Sequence, residues 1–155
     1  MPTISREQLP HCVFCRIAKG QEPNKILYED DEYIAFNDIR PAAKQHILII
    51  TKAHIDSILA LKPCLEDVSL VEDMARIGSK LLSSIEPHRD HKFGFHVPPW
   101  NSVDHLHMHC FALPHRGCTA LKYQVTESAW AGYMTAAQAM ERLQPRSAQQ
   151  IRSRH

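Results

Sequence analysis

The run His105-Leu106-His107-Met108-His109-Cys110-Phe111 constrains this chain more than any other feature. Side chains of a strand alternate between faces, so an extended run puts His105, His107 and His109 on one side and Leu106, Met108 and Cys110 on the other. The apolar set can then pack on a core while three imidazoles line a cleft. Wound as a helix, the same rings would sweep through about 400° over five positions and share no side. Burying three polar rings needs compensating partners. The pattern therefore predicts a strand over Asp104 to Leu113 with one face given to chemistry.

The flanking sequence supplies the rest of a sheet. Ile26–Glu29 reads as a short strand, Asp30-Asp31 as turn chemistry, and Tyr33–Phe36 as the second arm of a hairpin. Gln45–Ile50 contains the unbroken apolar run Ile47-Leu48-Ile49-Ile50, the mark of a strand buried on both faces. A long helix is predicted from near Pro63, with Val68, Val71, Ala75, Gly78, Leu82 and Ile85 as its stripe and Pro87 as its stop. Phe93–Val97 reads as a strand ended by Pro98-Pro99. Thr135-x-x-Gln138 has the spacing of a capping box opening a short helix to Leu143. Strands around one packed helix give an α+β class on a mostly antiparallel sheet.

The chain of 155 residues is long enough for one domain with a real core. We place it at 12–144, between a polar N-terminal end (1–11) and a basic tail (145–155) expected to be poorly anchored. Eighteen Lys and Arg against seventeen Asp and Glu leave a net charge of +1, which argues against a broad electrostatic nucleic-acid binder. No apolar run approaches a membrane span, and Met1–Pro10 lacks the core of a signal peptide. Five cysteines, an odd number, fit a reducing intracellular setting, cytoplasmic or nuclear.

Three alternating imidazoles spread over about 13 Å of strand, too far for all to hold one metal ion. They suit a division of labour in which one ring attacks and its neighbours hold a substrate. Neutral imidazole is a good nucleophile towards phosphorus, and histidine is largely neutral near pH 7. Cys12-x-x-Cys15 alone leaves redox, metal and chance open. A thioredoxin-like role is disfavoured because no βαβ pattern follows the pair. Two buried free thiols compete with a tetrahedral site, which needs two imidazoles as well. By themselves Val13, Phe14, Ile17, Phe36 and Ile39 read as core residues, and Asp38 as a turn acid ahead of Pro41.

The ladder resembles the His-φ-His-φ-His-φ-φ motif of the histidine triad superfamily. Cys12-Val13-Phe14-Cys15-Arg16-Ile17, Glu29-Asp30-Asp31, Ala35-Phe36-Asn37-Asp38-Ile39-Arg40-Pro41 and Lys52-Ala53-His54-Ile55 match in order and spacing. The likeness covers roughly Cys12 to Leu113. Gly94-Phe95-His96-Val97-Pro98-Pro99 and Leu121-Lys122-Tyr123 are similar to its adenosine 5′-monophosphoramidase branch.

The resemblance implies that His107 attacks the α-phosphorus of an adenosine 5′-monophosphoramidate. An amine leaves, a nucleotidyl-histidine forms, and water releases AMP. It implies that His109 and Ser102 donate to phosphate oxygens, that His105 completes the triad, and that His46 lies beside it. Asp38 would bind the ribose hydroxyls, and Val13, Phe14, Ile17, Phe36 and Ile39 would form a slot for the base. It implies no cofactor for catalysis, a structural zinc on Cys12, Cys15, His54 and His105, and a homodimer with no membrane or specific nucleic-acid partner. Two departures stand out. His96 replaces a pocket asparagine on a shortened connection, and the tail with Trp130 aligns loosely.

Other activities stay open at this level. They are hydrolysis of dinucleoside polyphosphates or other AMP esters, a non-catalytic nucleotide-binding module, and a metal-dependent hydrolase. The last lacks nearby carboxylates, since Asp104 is the only acid near the triad and alternation turns it away from His105. A DNA-processing role loses because no zinc-finger spacing follows His109.

Overall fold

A computed structural model describes residues 7–124 and 132–145. Of the expected tails at 1–11 and 145–155, residues 1–6 and 146–155 lie outside the described residues, as does Trp130. Six strands form one antiparallel sheet in the order β1-β2-β3-β5-β4-β6. They are β1 (Ile26–Glu29), β2 (Tyr33–Asn37), β3 (Ala43–Thr51), β4 (His91–His96), β5 (His107–His115) and β6 (Tyr133–Thr135). With α1 (Val13–Ala18), α2 (Leu65–Ile85) and α3 (Ala136–Leu143), the class is α+β, as the patterning predicts.

Local chemistry sets these elements. Asp30 Oδ1 accepts the backbone N–H groups of Glu32 (2.8 Å) and Tyr33 (2.7 Å), which closes the first hairpin. The apolar run of β3 is covered on both sides: Ile47 and Ile49 join the main core, Leu48 and Ile50 a second cluster under α1. The capping box of α3 forms as its spacing predicts, with Thr135 Oγ1 accepting the Gln138 N–H (3.1 Å) and Gln138 Oε1 the Thr135 N–H (3.0 Å).

The long helix α2 packs on the face that carries Met108, Cys110 and Ala112. Gly78 permits the approach, because a Cβ there would stand 2.6 Å from Cys110 Sγ. The buried arc of α2 runs through Val68, Val71, Met74, Ile77, Gly78 and Leu82. Two members of the predicted stripe fall off it: Ala75 is half-buried and Ile85 is exposed. The arc differs from a single stripe because α2 is covered by the sheet and also by α3.

The predicted strand over 104–113 is shifted. The ladder begins at the pair Ile50–His107 and runs on to His115, leaving His105 on the approach to β5. Leu106 N–H is taken by Ile55 O (2.6 Å), and Asn101 Nδ2 donates to Asp104 Oδ1 (2.9 Å), so the segment turns in rather than extending. Ahead of α1, Gln8 Nε2 donates to Lys52 O at 2.8 Å. Among the described residues no helix is long and apolar enough to cross a membrane.

Candidate active site

The face opposite α2 carries the chemistry. Register alone aligns it: His109 pairs with Leu48 on one side and Gly94 on the other, and Phe111 pairs with His46 and Lys92. His46, His107 and His109 are therefore on one surface, and all three are buried. The rings of His107 and His109 lie 5.0 Å apart, those of His46 and His109 5.1 Å. His105, though off the strand, turns its ring to the same side, where Phe14 meets it edge-on at 5.8 Å and His107 at 5.2 Å.

Hydrogen bonds decide which nitrogen of each ring carries the proton. Ala42 N–H donates to His46 Nδ1 (3.1 Å), so neutral His46 is protonated at Nε2. That Nε2–H donates to His109 Nδ1 (2.8 Å), which leaves the His109 proton on Nε2. His109 Nε2 is buried and has no hydrogen-bond partner among the described residues. His107 has the opposite arrangement. Its Nδ1–H donates to the His105 backbone carbonyl (2.6 Å), so its Nε2 keeps a lone pair. Burial pushes the His46 pKa down to about 3 and holds His107 and His109 below the usual imidazole range, so all three are neutral near pH 7. The site thus offers one nucleophilic nitrogen beside one N–H donor.

Asp38, His46 and His109 could in principle share a metal ion. The Ala42 N–H opposes it, because ligation through His46 Nε2 would require that nitrogen to give up its proton while Nδ1 is still accepting. Asp38 instead accepts Arg40 N–H at Oδ1 (2.7 Å) and has Oδ2 3.5 Å from His46 Nε2. Burial raises its pKa.

An aromatic wall bounds the His109 end. The Tyr123 ring contacts His109 (5.3 Å), His46 (5.8 Å), Phe111 (4.7 Å) and His115 (5.4 Å), and stacks on His96 (4.8 Å). His96 donates Nε2–H to Lys122 O (3.0 Å) and meets His109 at 4.7 Å. Tyr133 lies across Gly94, where any Cβ would collide with its hydroxyl and with Met134 O. Lys92 Nζ donates to Tyr123 O and sits 4.8 Å above the Tyr133 ring, tying both aromatics to the sheet. The Leu121-Lys122-Tyr123 likeness already marks Tyr123. Phe111, His115 and Tyr133 carried no signal beyond their apolar or polar type.

The residues expected to hold a nucleotide are partly gathered. Phe14, Ile17 and Phe36 lie in one cluster flanked by Val13, with Phe14 and Phe36 edge-on at 5.8 Å. Ile39 stands apart from it, 86% exposed. Val13 and Ser102 line a cleft of about 670 Å³. Asp56, Ser57 and Val103 line both that cleft and a recess containing His96 and His107. The recess lined by His107 therefore adjoins the cleft.

Beside His107 a second cluster forms. Ligand atoms of Cys12, Cys15, His54 and His105 all lie within 4.8 Å of one another. His105 donates Nε2–H to Thr51 O (2.7 Å), and His54 donates Nε2–H to Asp56 Oδ1 (3.0 Å). Both rings therefore aim Nδ1 lone pairs at thiols: His105 at Cys12 Sγ (3.4 Å) and Cys15 Sγ (3.5 Å), His54 at Cys15 Sγ (3.3 Å). A tetrahedral zinc bound by sulfur and imidazole has S···N edges of about 3.5 Å, so the four residues fit that ion. Sequence spacing gave no sign of Thr51, which acts through its backbone, or of Asp56.

Residues 11–123 match a family model described as scavenger mRNA decapping enzyme C-term binding. The chain is similar to the bifunctional adenosine 5′-phosphosulfate phosphorylase/adenylylsulfatase HINT4 of Arabidopsis thaliana, with 43% identity over 135 residues, 86% of this chain and 92% of that protein. It is also similar to the adenosine 5′-monophosphoramidase HINT3 of Danio rerio, with 44% identity over 113 residues, 71% of this chain and 69% of that protein. Among solved structures it resembles a histidine triad protein from Clostridium difficile (TM-score 0.62, 29% identity, 72% of this chain and all of that one). A HIT family protein from Bacillus anthracis gives a TM-score of 0.57 at 27% identity over 93% of this chain and 97% of that one.

Proposed function

Because the chain belongs to the histidine triad family of nucleotide hydrolases, we propose that it cleaves the P–N bond of adenosine 5′-monophosphoramidates through a covalent nucleotidyl-His107. The observation that carries this reading is the complementary protonation of two neighbouring rings, a lone pair on His107 Nε2 and an N–H on His109 Nε2.

In the first step the Nε2–P bond forms and the P–N bond breaks. The amine departs with the electron pair and takes up a proton from solvent. His107 gains positive charge as it is nucleotidylated, and its Nδ1–H already points at a carbonyl oxygen that stabilises that charge. His109 Nε2–H, a donor fixed in place before the charge develops, and Ser102 hold the non-bridging oxygens. Water then attacks phosphorus and gives up a proton to solvent, the Nε2–P bond breaks, and AMP leaves with His107 neutral again. Asp38 accepts from the ribose hydroxyls, and Val13, Phe14, Ile17 and Phe36 flank the base, with Ile39 at the rim.

Cys12, Cys15, His54 and His105 would hold a structural zinc. Bound there, it would fasten the start of α1 to His105, two residues before the nucleophile. Every catalytic step above belongs to the chain's own residues.

Brief incubation with an adenosine phosphoramidate, followed by mass analysis, tests the proposal. An AMP adduct on His107 is expected, and His107→Ala should lose turnover while keeping nucleotide affinity. An adduct elsewhere, or turnover in that variant, refutes it. A sulfate leaving group is the second reading, supported by similarity to HINT4 over most of the chain. AMP release from adenosine 5′-phosphosulfate, faster than from the phosphoramidate, would favour it.

A further inference from the structure

We propose that the Cys12–Cys15–His54–His105 centre positions the nucleophile, with Asp56 as the positioning residue that readies His54 for the metal. The inference rests on the zinc reading above and extends it, from an anchor for α1 to a control on His107.

One residue belongs to both sites. The His105 ring faces the two thiols through Nδ1, while its backbone carbonyl accepts His107 Nδ1–H at 2.6 Å. His105 lies beyond the last ladder pair, Ile50–His107. Its peptide is held from two sides, by Leu106 N–H on Ile55 O (2.6 Å) and by its own ring, tied through Nε2–H to Thr51 O (2.7 Å) and through Nδ1 to sulfur. A metal bond to Nδ1 would fix that ring more tightly than the two thiol contacts do. If the carbonyl drifts, His107 Nδ1–H loses its acceptor and the ring samples its other tautomer. The proton is then on Nε2, and that nitrogen cannot attack. Occupancy of the centre thereby sets the fraction of competent nucleophile, which alters kcat and leaves KM alone.

Asp56 acts one step further out. Its side chain is 79% exposed, yet Oδ1 lies 3.0 Å from His54 Nε2. That bond keeps the proton on Nε2 and presents Nδ1 to Cys15 Sγ at 3.3 Å. Metal-bound histidines characteristically donate their second N–H in this way, and losing the acceptor weakens metal binding about 10–100-fold.

The test uses the full chain, metal-free and zinc-loaded, with Asp56→Ala and Asp56→Asn. Zinc affinity is read by competition with a chromogenic chelator, the His107 tautomer by 15N NMR of the imidazoles, and turnover as kcat and KM. Zinc-loaded protein should show one His107 tautomer, protonated at Nδ1. Metal-free protein should show a mixture, with lower kcat at the same KM. Asp56→Ala should bind zinc about 10–100-fold more weakly, with Asp56→Asn nearer the parent, and excess zinc should restore tautomer and turnover together. Wild type that binds one zinc but has the same tautomer and kcat in both states would overturn the coupling and leave the anchor standing. Failure of wild type to bind zinc would overturn both. If the metal-free chain melts at the assay temperature, the Asp56→Ala zinc titration decides. His107 signals that move at constant helicity are expected, and signals that move only with helicity would refute the inference.

Discussion

Replacing His46 with alanine should lower kcat through His109, while its 3.5 Å contact with Asp38 would show in KM. His46 touches His109 Nδ1 at 2.8 Å and is itself fixed by Ala42 N–H at 3.1 Å, so its effect on kcat passes through the proton on His109 Nε2. A preorganised donor in a water-excluded site contributes about 10²–10³ in kcat, and His109→Ala should lose that whole amount. His46→Ala frees the tautomer of His109 without deleting the ring, so its loss should be smaller, roughly tenfold or more, about 1.4 kcal/mol per decade. The double variant should then be no slower than His109→Ala alone, because the route has already been cut. The assay is steady-state AMP release from an adenosine phosphoramidate for the four proteins, with kcat and KM separated. His46→Ala also leaves Ala42 N–H and His109 Nδ1 unpaired in a buried setting, at about 1–3 kcal/mol each, so thermal melts must show the variants folded. His46→Gln, which can both accept and donate, should recover part of the lost rate. Effects that multiply in the double variant would refute the relay and make His46 a direct partner of the substrate.

Asp38→Ala should reduce the preference for ribonucleoside over 2′-deoxyribonucleoside phosphoramidates, read as the ratio of their kcat/KM values; an unchanged ratio removes Asp38 from the ribose site. Gly94→Ala should destabilise the fold by about 1–3 kcal/mol, since the new methyl group overpacks Tyr133 and Met134 O; an unshifted urea midpoint would mean that Tyr133 is not seated on Gly94. Acid should also destabilise the protein. Burial holds the His46 pKa at about 3 when folded, against an ordinary 6.5, and depresses His109 as well, so the unfolded chain binds the extra protons first. These rings contribute no pH dependence above about pH 6.5, and stability should fall steadily below it. Asp38, whose pKa burial raises, runs the opposite way as a single group. A urea midpoint that is flat between pH 7 and 5 would contradict the burial of the rings.

What could be read from the sequence, and what could not, divides along a physical line. Alternation is a property of one strand, so the ladder announced a two-faced strand, and the apolar run in β3 announced burial on both sides. Capping chemistry is equally local, and the box at Thr135 formed where its spacing put it. The start of β5 was misplaced because alternation continues through His105 while hydrogen bonding does not. The Ile55 carbonyl, 51 residues away in sequence, takes the Leu106 N–H and turns the chain inward. Partners of that kind leave no trace in a side-chain pattern.

The same limit applies to the chemistry. That His107 and His109 share a face follows from their spacing. That one is a nucleophile and the other a donor does not, because it depends on a carbonyl at His105 and an amide at Ala42. Identical side chains on one strand acquire opposite roles from two backbone groups, one acting directly on His107 and one relayed to His109 by His46. A variant at position 42 or 105 that moves the peptide without touching either ring should therefore alter turnover as surely as a change to the rings themselves.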